Sequence, residues 1–212
     1  MERIFCLAMG YVFGLFQTGY LYSKLHHMDI RKYGSGNSGS TNVLRVMGVK
    51  AGLVVFLGDV GKMVAACLLT RYLFREQPQL VYVYLLYTGL GVILGHNFPF
   101  YMGFKGGKGI AASAGLLLSL DLRVTLICLI VFVAIVAITR FVSLGSIIVM
   151  ILLLIGMIYF GHRGDYGIGA SYLMEFYIVT AVISGMGIWR HRANIVRLLN
   201  GTENKLGAKK KE

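Results

Sequence analysis

Charged side chains are scarce in this sequence: Asp, Glu, Lys and Arg make up 14% of the 212 residues, where a soluble domain carries about a quarter. With hydrophobic residues at 57%, that scarcity excludes a soluble globular domain and leaves a polytopic membrane protein. Cysteine is also rare. Cys6, Cys67 and Cys128 each stand alone inside an apolar run, a spacing that offers neither a disulfide framework nor a zinc site and leaves packing as their role. No small-residue cleavage site follows the first apolar stretch, so Met1 to Phe5 lead into a retained first span rather than a signal peptide. Nor is there a transporter-type internal repeat, because the two halves share neither segment lengths nor interruptions.

What the chain has instead is long apolar runs, over about 4–22, 51–74, 80–97, 109–120, 122–140, 143–160 and 171–189. Some ~30 Å of hydrocarbon takes about 20 apolar residues per helix, so the reading is an all-α integral membrane protein with seven transmembrane helices. The fourth run is short, and only Asp121 to Arg123 part it from the fifth, which predicts a tight helical hairpin. Gly10 with Gly14, and Gly91 with Gly95, have the small-xxx-small spacing that lets helices approach closely. Asp59 and Lys62 lie within the second run at i and i+3. Charges in hydrocarbon are costly unless paired, so these two are expected to pair structurally.

The net charge of +12 lies mainly in loops between the runs, which fits membrane orientation and anion handling and speaks against a nucleic-acid partner. If the loops around 23–50, 98–108 and 140–142 share one face with the tail from 190, that face holds 15 Lys and Arg. The other face holds Arg3, Arg71, Arg75, Arg123 and Arg163. The positive-inside rule then places the N-terminus outside and the C-terminus in the cytoplasm. One membrane domain is read over 1–206, followed by a basic tail, 207–212.

Three polar clusters fall on the cationic face. The first is Gly34-Ser35-Gly36-Asn37-Ser38-Gly39-Ser40-Thr41-Asn42-Val43-Leu44-Arg45. Glycines let backbone N–H groups approach a ligand, the hydroxyl and amide side chains hydrogen-bond it, and arginine adds a bidentate fork, so the stretch reads as a phosphate or carboxylate cradle. A flexible polar loop is the plain alternative. The second cluster is Gly95-His96-Asn97-Phe98-Pro99, followed by Phe104-Lys105-Gly106-Gly107-Lys108-Gly109. Glycines and a lysine leading into a helix start suit a phosphate. It is no Walker A loop, since Met102 and Gly109 stand where that pattern needs Gly and Ser/Thr. The third cluster closes the last run with His191, Asn194 and Arg197 spaced for one helix face, then Gly201, Glu203 and Lys205. Arg140, Ser143 and Ser146 add a cation and two hydroxyls.

These three motifs, in this order and with this hydrophobic spacing, closely resemble the bacterial acyl-phosphate:glycerol-3-phosphate acyltransferases, the PlsY family, over nearly the whole chain. One departure is Met63, where the family has glycine after the intramembrane lysine. The resemblance implies transfer of a fatty acyl group from acyl phosphate to the 1-position of sn-glycerol 3-phosphate, giving lysophosphatidic acid and phosphate, the first step of phospholipid synthesis. It implies no metal or other cofactor. It also implies a place in the bacterial inner (cytoplasmic) membrane with the active site facing the cytoplasm, and a transient contact with the enzyme that makes acyl phosphate.

On this basis the catalytic candidates are Ser35, His96 and Lys108. The substrate-binding candidates are Gly34, Gly36, Asn37, Thr41, Asn42, Arg45, Asn97, Lys105, Gly106, Gly107, Gly109, Ser143, His191, Asn194 and Glu203. The donor phosphate is assigned to the first cluster and to the Gly106–Gly109 helix start. The acceptor's phosphate goes to Arg45, Lys108, Ser143, His191 and Asn194. A Ser35–His96 acyl-enzyme would need hydrogen-bond reach and a third orienting group. The preferred mechanism is direct attack by the glycerol hydroxyl, the departing phosphate taking the proton. Rival readings are an organic-phosphate transporter, a structural lipid-holding protein, and an acyltransferase that uses acyl-CoA or acyl carrier protein.

Overall fold

The computed structural model describes residues 1–207, and among them every regular element is helical, with no strand. Six stretches are long and apolar enough to cross a membrane: Glu2–Leu25, Val49–Leu73, Val81–Met102, Leu122–Thr139, Val142–His162 and Ala170–Arg190. The fourth of the seven apolar runs forms the shorter helix Ile110–Leu120, of 11 residues. At 1.5 Å per residue it is about 17 Å long, short of the ~30 Å hydrocarbon thickness. Of the basic tail, positions 208–212 lie outside the described residues.

The first stretch is broken. Helix α1 (Glu2–Gly14) stops before α2 (Thr18–Leu25), and Gln17, 1% exposed, fills the gap. Its Nε2 donates to the carbonyls of Gly14 (3.2 Å), Gly95 (3.2 Å) and His96 (3.0 Å). A single amide thus satisfies orphan carbonyls at the ends of two helices, α1 and α5 (Val81–Asn97). These two helices meet through the glycines. Gly10 lies on the Thr88 carbonyl, Gly14 on Val92 and Gly95, Gly91 on the Leu7 carbonyl and Gly95 on that of Tyr11. The small-xxx-small spacing has become backbone-to-backbone contact.

After α2, a loop leads to α3 (Ser40–Met47), then to the long α4 (Val49–Leu73). The short α6 (Ile110–Leu120) packs along only the later part of α4. Gly115 stands against Val60 and Met63, and the Ser119 carbonyl accepts from Arg71 Nη2 at 2.7 Å. Helix α6 therefore starts part-way down the bundle, and the segment that leads into it is mixed: Pro99, Met102, Gly106, Gly107 and Gly109 are buried, whereas Phe100, Tyr101, Phe104 and Lys105 are exposed. Met63 is fully buried against Gly115.

The hairpin expected at Asp121 is present. Asp121 leaves helical geometry at φ −153° and ψ 114° and caps α7 (Leu122–Thr139), its carboxylate accepting the amides of Arg123 (2.8 Å) and Val124 (3.3 Å). Helix α7 exposes Leu126, Ile127, Leu129, Ile130 and Val133, the surface of a helix meant for lipid. The long α8 (Val142–His162) and α9 (Leu173–Trp189) follow, and the short α10 (Arg192–Leu199) turns back across the end of α8.

Candidate active site

The glycine-rich first cluster is a built loop. Asn42, 2% exposed, sits in the first turns of α3 and reaches back across it. Its Oδ1 accepts the Ser35 amide at 2.8 Å, and its Nδ2 donates to the carbonyls of Tyr33 (3.0 Å) and Ile30 (3.4 Å). Gly34, at φ +60°, leaves no room for a Cβ beside Asn42 Oδ1; Gly36 also takes positive φ, +71°. Asn37 Oδ1 accepts the Gly39 amide at 2.9 Å in an Asx turn that opens α3. Below, Ile30 and Val43 pack with Ala51 and Val55 in a small core of their own. The polar loop is thus tied to α3 by Asn42 and Asn37 and to the small core beneath it.

This loop forms one wall of a cavity of about 420 Å³. Of the sequence candidates, Ser35, Asn37, Thr41, Asn42, Arg45, His96, Lys108, Gly109, Ser143, His191, Asn194 and Glu203 all line it. Residues from four loops or helix ends, up to 168 positions apart in the chain, therefore converge on one space. The cavity continues between apolar side chains, Leu53 and Phe56 of α4 and Phe132 and Val136 of α7.

Its cationic end is organised around Glu203. The carboxylate accepts Ser143 Oγ (3.0 Å), Asn194 Nδ2 (2.8 Å) and Arg197 Nε (2.8 Å), and its own side chain is 2% exposed. Asn194 Oδ1 in turn accepts the Lys108 ammonium. Burial brings Lys108 down to about 8, against the pull of Glu203 and with Arg197, Arg190 and Arg45 pushing the same way as burial. Burial, helped by the Lys108 charge, likewise lowers His191 to about 4. Its ring is therefore neutral near pH 7. Its Nδ1 lies 2.8 Å from the Gly187 carbonyl; that contact requires the hydrogen on Nδ1 and leaves Nε2 for the cavity. Arg45 donates from Nη2 to the Asn204 carbonyl at 3.2 Å, while its buried Nε has no partner among the described residues.

Other candidates stand elsewhere. Lys105 is exposed and does not line the cavity. Gly106 and Gly107 serve packing: their amides donate to the carbonyls of Asn97 (3.1 Å) and His96 (3.0 Å), and a Cβ on either would collide with His96. The Gly106 and Gly107 carbonyls accept from Arg190 Nη2 at 3.2 and 2.6 Å. Those two amides, expected as phosphate donors, are already engaged. Gly109, at φ +82°, lies against Asn97, which is fully buried and donates to Met186 Sδ at 3.6 Å. Gly34 and Gly36 shape the loop from outside the cavity lining. No hydrogen bond joins Ser35 to His96 among the described residues; His96 Nδ1 instead meets Lys62 Nζ at 2.9 Å.

Sequence reading passed over Asp59, which lines the cavity although it had been assigned to a structural pair, and Arg197, whose place in the His191–Asn194–Arg197 spacing was the signal for it. Phe132 and Val136 carried no signal, being two among many apolar residues of α7. Among the described residues no three His, Cys, Asp or Glu side chains gather where a metal would be held.

A cavity with a cationic, hydrogen-bonding end and an apolar extension between membrane helices suits an anionic head group joined to a lipid chain. The sequence matches the model of the glycerol-3-phosphate acyltransferase family over residues 4–201. A glycerol-3-phosphate acyltransferase of Clostridioides difficile (strain 630) is 42% identical, the alignment covering 98% of this chain and 97% of that one. One from Thermoanaerobacter sp. (strain X514) is 36% identical, over 99% and 98%. The crystal structure of PlsY (YgiH), an integral membrane glycerol 3-phosphate acyltransferase in its glycerol 3-phosphate form, superposes with a TM-score of 0.83 at 34% identity, covering 98% of this chain and 96% of that one. A second crystal structure of PlsY, in its lysophosphatidic acid form, gives a TM-score of 0.81 at 33% identity. The chain belongs to the glycerol-3-phosphate acyltransferase family of integral membrane enzymes of phospholipid synthesis.

Proposed function

We propose that the protein transfers a fatty acyl group from acyl phosphate to the 1-hydroxyl of sn-glycerol 3-phosphate, giving lysophosphatidic acid and inorganic phosphate. The observation that carries this reading is the single cavity in which Arg45, Lys108 and Arg197 stand at one end and Leu53, Phe56, Phe132 and Val136 at the other. Two anionic head groups and one acyl chain have to be held together for the transfer.

Arg45, Lys108, Ser143, His191 and Asn194 hold the acceptor's phosphate. Ser35, Asn37 and Thr41, with the first turn of α3, hold the donor's. An acyl phosphate is already activated, since phosphate is a good leaving group whose charge the nearby cations neutralise. The glycerol hydroxyl attacks the acyl carbon directly, and its proton leaves with the phosphate. That Ser35 has no hydrogen bond to His96 supports direct transfer over an acyl-serine. Glu203 acts behind the substrates, orienting Ser143, Asn194 and Arg197.

In this reading the protein lies in a bacterial inner membrane, as the family resemblance implies, and the positive-inside count supports a cavity on the cytoplasmic side with the N-terminus outside and the C-terminus inside. That orientation of the termini counts the short helix α6 as a seventh crossing. A passing contact with the enzyme that makes acyl phosphate belongs to the same reading.

The test is phosphate release by purified protein in detergent or lipid mesophase, given palmitoyl phosphate with and without glycerol 3-phosphate. Release that needs glycerol 3-phosphate and yields 1-acylglycerol 3-phosphate is expected. Release without acceptor would replace direct transfer by an acyl-enzyme or a hydrolase. Product formation from acyl-CoA or acyl carrier protein but not from palmitoyl phosphate would overturn the donor.

A further inference from the structure

The intramembrane Asp59–Lys62 pair reaches the reaction site. The Lys62 ammonium has three hydrogens and three acceptors around it: Asp59 Oδ1 at 2.8 Å, the Phe16 carbonyl at 2.7 Å and His96 Nδ1 at 2.9 Å. An ammonium only donates, so His96 Nδ1 accepts and the ring hydrogen belongs on Nε2. A doubly protonated ring would turn an N–H against the ammonium. Asp59 Oδ1 is steadied in turn by Thr18 Oγ1 at 3.0 Å, and the His96 carbonyl is held by Gln17. His96 Nε2 stands beside Gly107, the ring's one hydrogen bond among the described residues is made by Nδ1, and the side chain lines the cavity.

We propose that Lys62, held by Asp59, is a positioning residue that sets His96 as an Nε2–H donor into the cavity, where it binds the acyl carbonyl oxygen as that oxygen gathers negative charge. The inference rests on the acyl-transfer reading above. In that reaction the glycerol C1 oxygen bonds to the acyl carbon, and the carbonyl electron pair moves onto oxygen. The pair returns as the acyl carbon–phosphate oxygen bond breaks, and the hydroxyl proton leaves with the phosphate. A preorganised N–H at the carbonyl oxygen stabilises the charge that develops there and adds little before attack. A ring fixed as an Nε2 donor has no lone pair at Nε2 to deprotonate Ser35 or the glycerol hydroxyl, so His96 is an electrophilic catalytic residue and not a general base.

The experiment reads the tautomer first. In protein labelled with 15N-histidine and reconstituted in lipid, with His96→Gln identifying the resonances, Nε2 should carry hydrogen and Nδ1 should not. Lys62→Met should move the ring toward the other tautomer. Because that variant leaves Asp59 buried without its partner, the double variant Asp59→Asn/Lys62→Met serves as the folded counterpart. Both should lower kcat about tenfold or more, as loss of a well-placed oxyanion donor does, with little change in KM for either substrate. His96→Gln, which keeps an N–H donor but has no basic nitrogen, should retain more kcat than His96→Ala, and in its background the Lys62 change should add little. Hydrogen on Nδ1 in the unaltered protein, or His96→Gln no more active than His96→Ala, would overturn the proposal. The tautomer is read without substrates, so its failure is distinct from failure of the acyl-transfer reading, which would show as no glycerol-3-phosphate-dependent product from the unaltered protein.

Discussion

Asn194 is bound on both sides of one amide: Nδ2 donates to Glu203 Oε1 at 2.8 Å, and Oδ1 accepts the Lys108 ammonium. The carboxylate of Glu203 thus orders the lysine of the second motif through the asparagine of the third. Glu203→Ala removes the acceptor of Ser143, Asn194 and Arg197 together. Breaking such a buried charged set costs about 3–5 kcal/mol, and thermal unfolding in detergent should fall accordingly. Glu203→Gln keeps one acceptor oxygen and should fall between it and the parent.

The lowered Lys108 sets a pH limit. Below about 8 the side chain is an ammonium able to bind phosphate, and above it a neutral amine. Since kcat/KM reports groups of the free enzyme, it should decline on the alkaline side of pH 8. Lys108→Arg should remove that limb, because a guanidinium stays charged there. Glu203 raises Lys108, so Glu203→Gln should move the limb to lower pH. A limb that stays in place in both variants would assign it to another group.

Arg45 offers a fork where lysine offers a point charge. Arg45→Ala and Lys108→Ala each remove charged hydrogen bonds worth about 1.5–3 kcal/mol, and each should reduce kcat/KM more than tenfold. Arg45→Lys should recover only part of the loss. Near-parent kinetics in a folded Arg45→Ala protein would remove this residue from the site.

The glycines of the α1–α5 contact divide sharply from others. A Cβ at Gly95 would meet the Tyr11 carbonyl and the Gly14 backbone, whereas at Gly61 nothing lies within 4 Å. Gly95→Ala should lower thermal stability by about 1–3 kcal/mol or more. Gly61→Ala should be neutral or stabilising by up to about 1 kcal/mol through helix propensity.

The sequence by itself determined the solvent, the helical class and the grouping of the polar motifs. Long apolar runs have no other stable form in lipid, and Gly, Asn, Arg and Lys at the same ends of those runs were bound to share a surface. Asp121 was legible as a helix break because a short polar residue between two apolar runs caps the second. Tertiary structure alone decided how the two neighbouring lysines stand: Lys105 is exposed and Lys108 donates to Asn194, a difference of backbone direction that residue type does not encode. It also decided that Gly106 and Gly107 make room for His96 instead of presenting free amides, since glycine permits either use. The link from Lys62 through His96 to the cavity depends on helices α4 and α5 standing side by side, and no spacing within one helix reveals what lies across from it.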